Sequence, residues 1–172
     1  MSGRSPRHSL RPRQHSADGA AGDMRRGRRI GVDVGDVRIG VASCDPDGLI
    51  ATPFETVAAG PHAQQRLAEI VAEVEAIEVV VGWPVGLSGR EGPAAAKVRA
   101  FCATLLPLIA PVGIRLVDER MSTMTADGLL RAGGKSGVKR RRVIDQAAAT
   151  VILQTALDAE RTRGSAPGQE LA

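Results

Sequence analysis

The stretch "RRIGVDVGDVRIGVAS", Arg28 to Ser43, decides how this chain is read. Ile30, Val32, Val34, Ile39 and Val41 have the pattern of two short strands of a buried sheet, at about 29–35 and 37–44, with a tight turn around Gly35 and Asp36. Asp33 stands inside the first of them. A buried carboxylate without a partner costs several kcal/mol, so it is neutralised, hydrogen-bonded or bound to a cation. Candidate partners lie far along the chain.

The rest of the sequence supplies the frame. "GLIATPFETV" (48–57) is a third strand, with Pro53 marking an edge or irregular position. Leu67, Ile70, Val71 and Val74 recur with the period of an amphipathic helix. "VVVG" (79–82) has the apolar run of a buried parallel strand. "PAAAKVRAFCATLL" (93–106) is a helix that Pro107 is expected to end, and "GIRLVDE" (113–119) is the next strand. A short helix near 123–132, a basic loop at 133–142 and a final helix over about 143–161 complete the order β-β-β-α-β-α-β-α-α. This predicts an α/β fold, a mixed five-stranded sheet of antiparallel meander plus parallel strands, flanked by helices. One domain is expected over 28–162, between a disordered basic arm (1–27) and a flexible tail (163–172).

The bulk numbers exclude several classes. The formal charge of +4 hides an asymmetry, since residues 1–28 carry seven Arg against two Asp and the remainder sums to about −1. With no Tyr and only Phe54, Phe101 and Trp83 as aromatics, base-stacking platforms for single strands are not expected. Two of the three His lie in the arm, which argues against a His-based triad or a zinc site. No apolar run is long enough to span a membrane, and no secretory signal opens the chain. Cys44 and Cys102 read as reduced thiols of a cytoplasmic protein.

Two further acids stand out: Glu119 at the end of the last predicted strand, and Asp145 near the start of the final helix. Alone, Asp145 reads as a helix cap, Glu119 as a solvated strand end, and Asp33 as serving a backbone nest or a buried ion pair. If the first and last strands lie side by side, all three converge. Two unit charges about 4 Å apart at an effective dielectric near 20 repel by roughly 4 kcal/mol, so three carboxylates gather only around a cation. Hard oxygen donors suit Mg²⁺ or Mn²⁺, and a pair of such ions clamps an in-line phosphate displacement. Lys135, Lys139, Arg140, Arg141 and Arg142, just ahead of Asp145, would hold a phosphate backbone; a solvated charge run is the bland alternative. "AGGKS" imitates the end of a phosphate-binding P-loop, but Leu129 stands where its first glycine belongs and a helix precedes it.

Four motifs in order, "GVDVGDVRIGVA" (31–42), "VVVGWPVGLSGREGP" (79–93), "VDERMST" (117–123) and "KRRRVIDQAAATVILQ" (139–154), resemble the YqgF-type or RuvX-type family over about residues 29–161. The resemblance implies an RNase H-like fold and an endonuclease acting on pre-16S rRNA or on Holliday junctions, with its acidic site on Asp33, Glu119 and Asp145. It further implies that Arg120, Ser122 and Thr123 shape the site or contact phosphate, beside a loop containing Gly82 and Pro84. The chain departs from the family pattern at Asp36, where Thr is usual, and at Trp83 and Gly86, where Leu or Phe and Asn are usual. No role passes to Gly86. A junction substrate needs two coordinated cuts and hence a homodimer. The rivals are a non-catalytic nucleic-acid-binding factor and an actin-like ATPase; the latter needs two lobes where this chain supplies one.

Overall fold

Strand alternation sorts the sheet onto two faces, and helices cover both. The computed structural model describes residues 24–86, 88–121 and 138–171. The meander consists of β1 (Arg29–Val34), β2 (Arg38–Cys44) and β3 (Ala51–Ala58). β4 (Glu78–Trp83) runs parallel to β1, β5 (Gly113–Asp118) parallel to β4, and β6 (Gln169–Leu171) antiparallel to β5. The sheet order is β3-β2-β1-β4-β5-β6. Six strands therefore replace the five expected, because part of the presumed C-terminal tail pairs with β5. The first and last strands of the parallel set are also not neighbours, since β4 lies between β1 and β5.

The helices are α1 (Ala63–Glu73), α2 (Pro93–Ile109) and α3 (Val138–Arg163). On one face, Ile30, Val32, Val79, Val81, Ile114 and Leu116 pack against Leu67 and Ile70 of α1 and Val98, Cys102 and Leu105 of α2. On the other, Ala42, Val80 and Val117 meet Ala149, Ile152, Leu153 and Ala156 of α3. Cys44 and Cys102 are buried on opposite faces, and both thiols are free.

Helix bounds differ from expectation in two places. Pro107 lies within the last turn of α2 instead of ending it, near a helix end where fewer backbone bonds are at stake. α3 begins at Val138, so Lys139–Arg142 belong to a helix and not to a loop. The helix expected near 123–132 lies outside the described residues.

The α3 face carries charge at the N-terminal ends of the parallel strands. Arg25 donates to both Glu78 and Glu160, Arg29 to Glu160, and Arg115 to Glu78. The presumed arm thus includes an anchor: Arg25 is part of the folded body. Burial pushes the Glu160 carboxyl up, and contacts with Arg25 and Arg29 more than reverse this, leaving it below the ordinary glutamate range.

Arg25→Ala is expected to cost about 1–3 kcal/mol at neutral pH, because it leaves buried carboxylates short of a partner. A carboxylate held low in the fold stabilises fully above its unfolded pKa, and that contribution is lost as the pH falls through the lower folded value. The difference in Tm between wild type and Arg25→Ala should accordingly narrow as melts are run at increasingly acid pH. A gap that stays constant on acidification would contradict this account.

Candidate active site

Asp33 projects from the penultimate position of β1, on the face that α3 covers. It is registered opposite Gly40 of β2. A Cβ on Gly40 would lie 1.9 Å from the backbone oxygen of Asp145, so the glycine is what lets α3 reach the sheet at that point. Gly31, two residues before Asp33, plays the same part further along: its Cβ would sit 2.6 Å from Leu153 Cβ. Asp145 is thereby lowered onto the strand pair that carries Asp33. Because α3 starts at Val138, Asp145 lies in the helix interior and is no N-cap.

Glu119 follows β5 in a 3₁₀ turn, Glu119–Met121. Its side chain reaches toward Asp33 across β4, over Gly82, where an added Cβ would lie 2.9 Å from Glu119 Oε1 and 2.6 Å from Ile152 Cδ1. A glycine in the intervening strand thus does what adjacency of β1 and β5 was expected to do. Asp33 and Glu119 line a cleft of about 430 Å³ at the C-terminal ends of β1 and β4, together with Val34, Pro84 and Lys97. That edge is where open α/β sheets usually bind ligands.

The electrostatics record this convergence. Burial, and then the Asp145 charge, push the Asp33 carboxyl up to about 6. Burial, followed by the charges of Asp33 and Asp118, push Glu119 up to about 7. Asp33 is the middle member, repelled by Asp145 and repelling Glu119. Asp145 is turned toward β2, where Arg38 Nε donates to its Oδ2 at 3.0 Å. It does not line the cleft. As the side chains stand, no group of three His, Cys, Asp or Glu among the described residues is close enough to hold a metal.

The other expected residues divide. Arg120 is at the cleft's edge but is bound back on Asp118, with Nε to Oδ2 at 2.8 Å, and reaches the Gly86 carbonyl at 3.5 Å. Arg141 and Arg142 are exposed on the first turns of α3. The α3 backbone is tied to β3 there, with Thr56 Oγ1 donating to the Arg142 carbonyl and accepting from Gln146 Nε2. Ser122, Thr123 and Lys135 lie outside the described residues, as do the side chains of Lys139 and Arg140. Asp36 does not join the carboxylates but pairs with Lys97, which holds it below its ordinary range. Trp83 is a half-buried anchor, donating from Nε1 to the Ala95 carbonyl and lying under Arg99 at 4.9 Å.

Sequence reasoning missed Arg38 and Lys97. Arg38 had a signal: it stands two residues before Gly40, hence on the same face of β2. Lys97 had none, because helix periodicity marks it only as exposed.

A mixed sheet flanked by helices, with an acidic cleft at its carboxyl edge, is an RNase H-like fold. A family model described as "RuvX: Holliday junction resolvase" matches residues 27–159, and the chain belongs to the RuvX family. A Streptomyces coelicolor protein provisionally named a pre-16S rRNA nuclease is 61% identical over 160 residues, covering 92% of this chain and 95% of its own. A Nocardioides relative with the same name is 57% identical over 151 residues, covering 85% and 97%. Among solved structures, Thermus thermophilus RuvC in complex with a Holliday junction substrate aligns with a TM-score of 0.55 at 18% identity, over 82% of this chain and 99% of that one. That likeness is one of fold. No helix among the described residues is long and apolar enough to cross a membrane.

The glycines can be tested separately. Gly40→Ala drives a Cβ into backbone and is expected to cost about 1–3 kcal/mol or more in thermal melts. Gly82→Ala meets only the movable ends of Glu119 and Ile152, so its Tm should fall much less. Equal losses would remove the distinction drawn between the two contacts.

Proposed function

We propose that this chain is a divalent-metal-dependent endonuclease that cleaves phosphodiester bonds of structured nucleic acid in the cytoplasm, its substrate being the 5′ end of pre-16S rRNA. The observation that carries this is the cleft lined by Asp33 and Glu119, with Asp145 close enough to Asp33 for its charge to act on it. Asp33 and Glu119, both with raised proton affinity, would form with Asp145, once it turns from Arg38, an all-oxygen donor set that suits Mg²⁺ or Mn²⁺. Asp33, Glu119 and Asp145 would hold the divalent ion, with Asp33 the acid that interacts with both others. Asp145 joins when Arg38 releases it. The chemistry a bound divalent ion supplies is Lewis-acid stabilisation of the phosphoryl oxygens during in-line displacement.

The chain's own residues position the substrate. Arg120, Arg141 and Arg142 face solvent around the acids and would hold flanking phosphates, with Lys139 and Arg140 on the same stretch; Ser122, Thr123 and Lys135 belong to the same proposed interface. Such contacts set register and not sequence, and recognition would rest on shape. The relatives' names support the rRNA substrate. The family description supports a four-way DNA junction as the second reading, which requires a homodimer to present two sites.

The test is a cleavage assay in Mg²⁺ or Mn²⁺ on a 16S-precursor RNA and on a fixed four-way junction. Wild type should cut one of them, and Asp33→Asn and Glu119→Gln should lose about 100-fold or more, since several kcal/mol of charge stabilisation go with a ligand and each 1.4 kcal/mol is tenfold. Binding without cleavage by wild type would favour a non-catalytic assembly factor. Neutralising Arg141 and Arg142 should flatten the slope of log affinity against log salt by about 0.7–0.9 per lost phosphate contact. An unchanged slope would return them to a solvated face.

A further inference from the structure

A second cleft, of about 280 Å³, adjoins the carboxylate cleft. The two share Val34, Gly35, Asp36 and Lys97. One wall of both is a single stripe of α2: Ala94 and Lys97 in the first, Lys97 and Phe101 in the second. These residues are three and four apart, so they stack along one helix face for about 10 Å. The opposite wall is the turn between β1 and β2. The ridge dividing the clefts is the Lys97–Asp36 ion pair, whose side chains are 60% and 83% exposed.

The chemistry of the second cleft is distinct. Its floor is Ile39, Ala59 and Phe101, and its polar group is the Gln64 amide, oriented by donation from Nε2 to Thr104 Oγ1. Gly60 faces open space, so the mouth is unobstructed. An apolar floor with a ring, one fixed amide and a cation at the threshold matches a nucleobase and sugar that enter with a phosphate at the threshold. An exposed ion pair is weakly held, so Lys97 can exchange the Asp36 carboxylate for a phosphate at little cost.

We propose that this second cleft is a nucleotide subsite, taking the base and sugar next to the cleaved phosphate while Lys97 Nζ leaves Asp36 to hold the phosphate between them. The inference rests on the nuclease reading above. It makes Lys97 a positioning residue, and Asp36 its competitor.

The experiment is an amide-shift NMR titration of the full chain with a phosphorothioate-linked diribonucleotide in Mg²⁺. Saturable shifts are expected at Gly35, Gly60, Gln64 and Phe101. Lys97→Met should weaken this binding by about tenfold, as loss of a charged hydrogen bond implies, and Lys97→Arg should retain most of it. Asp36→Asn should tighten it, because the competing carboxylate is gone; a merely structural ion pair would give weakening or no change. Gln64→Ala should remove the shifts at Gly60 and Phe101 at unchanged Tm. Shifts confined to the surroundings of Asp33 and Glu119, or equal affinity of wild type and Lys97→Met, would overturn the subsite and leave the nuclease reading standing. No shift anywhere would overturn the subsite, while the nuclease reading would still stand or fall on the cleavage assay.

Discussion

The structure is organised around a repulsion. Asp33, Glu119 and Asp145 come from three elements, and holding Asp33 within reach of both other charges costs energy that the close-packed frame offsets. Three glycines make the frame. Gly31 and Gly40 let α3 approach the sheet at backbone distance, and Gly82 clears the path of Glu119 across β4. A methyl group at Gly40 would lift the helix that carries Asp145. The burial, and after it the like-charge contact, that raise Asp33 and Glu119 are therefore built by missing side chains as much as by present ones.

The same face of the sheet solves the opposite problem at its other end. There Arg25, Arg29 and Arg115 interleave with Glu78 and Glu160, so each buried charge meets one of opposite sign. Pairing of this kind holds α3 and the chain before β1 onto the strands. A frame locked by matched charges at one pole can carry mismatched charges at the other, which is the usual division between a scaffold and a site. Arg38 is the intermediate case, a cation that holds Asp145 in place at the cleft's edge.

Much of this was legible in the residues. The periodicities of "RIGVDV" and "VVVG", and the apolar stripes of the first two helices, predicted the sheet and its covering layers, because burial imposes those periods locally. The odd aspartate inside a strand pointed to the acids at 119 and 145. What could not be read had a common cause, non-local pairing. β6 is three residues long and exists because Ile114–Leu116 offers it an edge. Arg25 looked like one more arginine of a polar arm until Glu78 and Glu160 were found beside it. Lys139–Arg142 looked like a loop because their charges hide the helix that packing elsewhere along α3 sustains.

By itself, then, the sequence singled out the acids that the fold places near one another and most of the segments that form strands and helices, since both follow from side-chain type and local period. Only the tertiary structure decided the route by which the acids meet. With β4 between β1 and β5, a side chain at 82 would stand between Glu119 and Asp33, and the glycine there matters only because of the strand order. The distinction is physical: a period is a property of one segment, whereas the space above a glycine belongs to whatever the fold places over it.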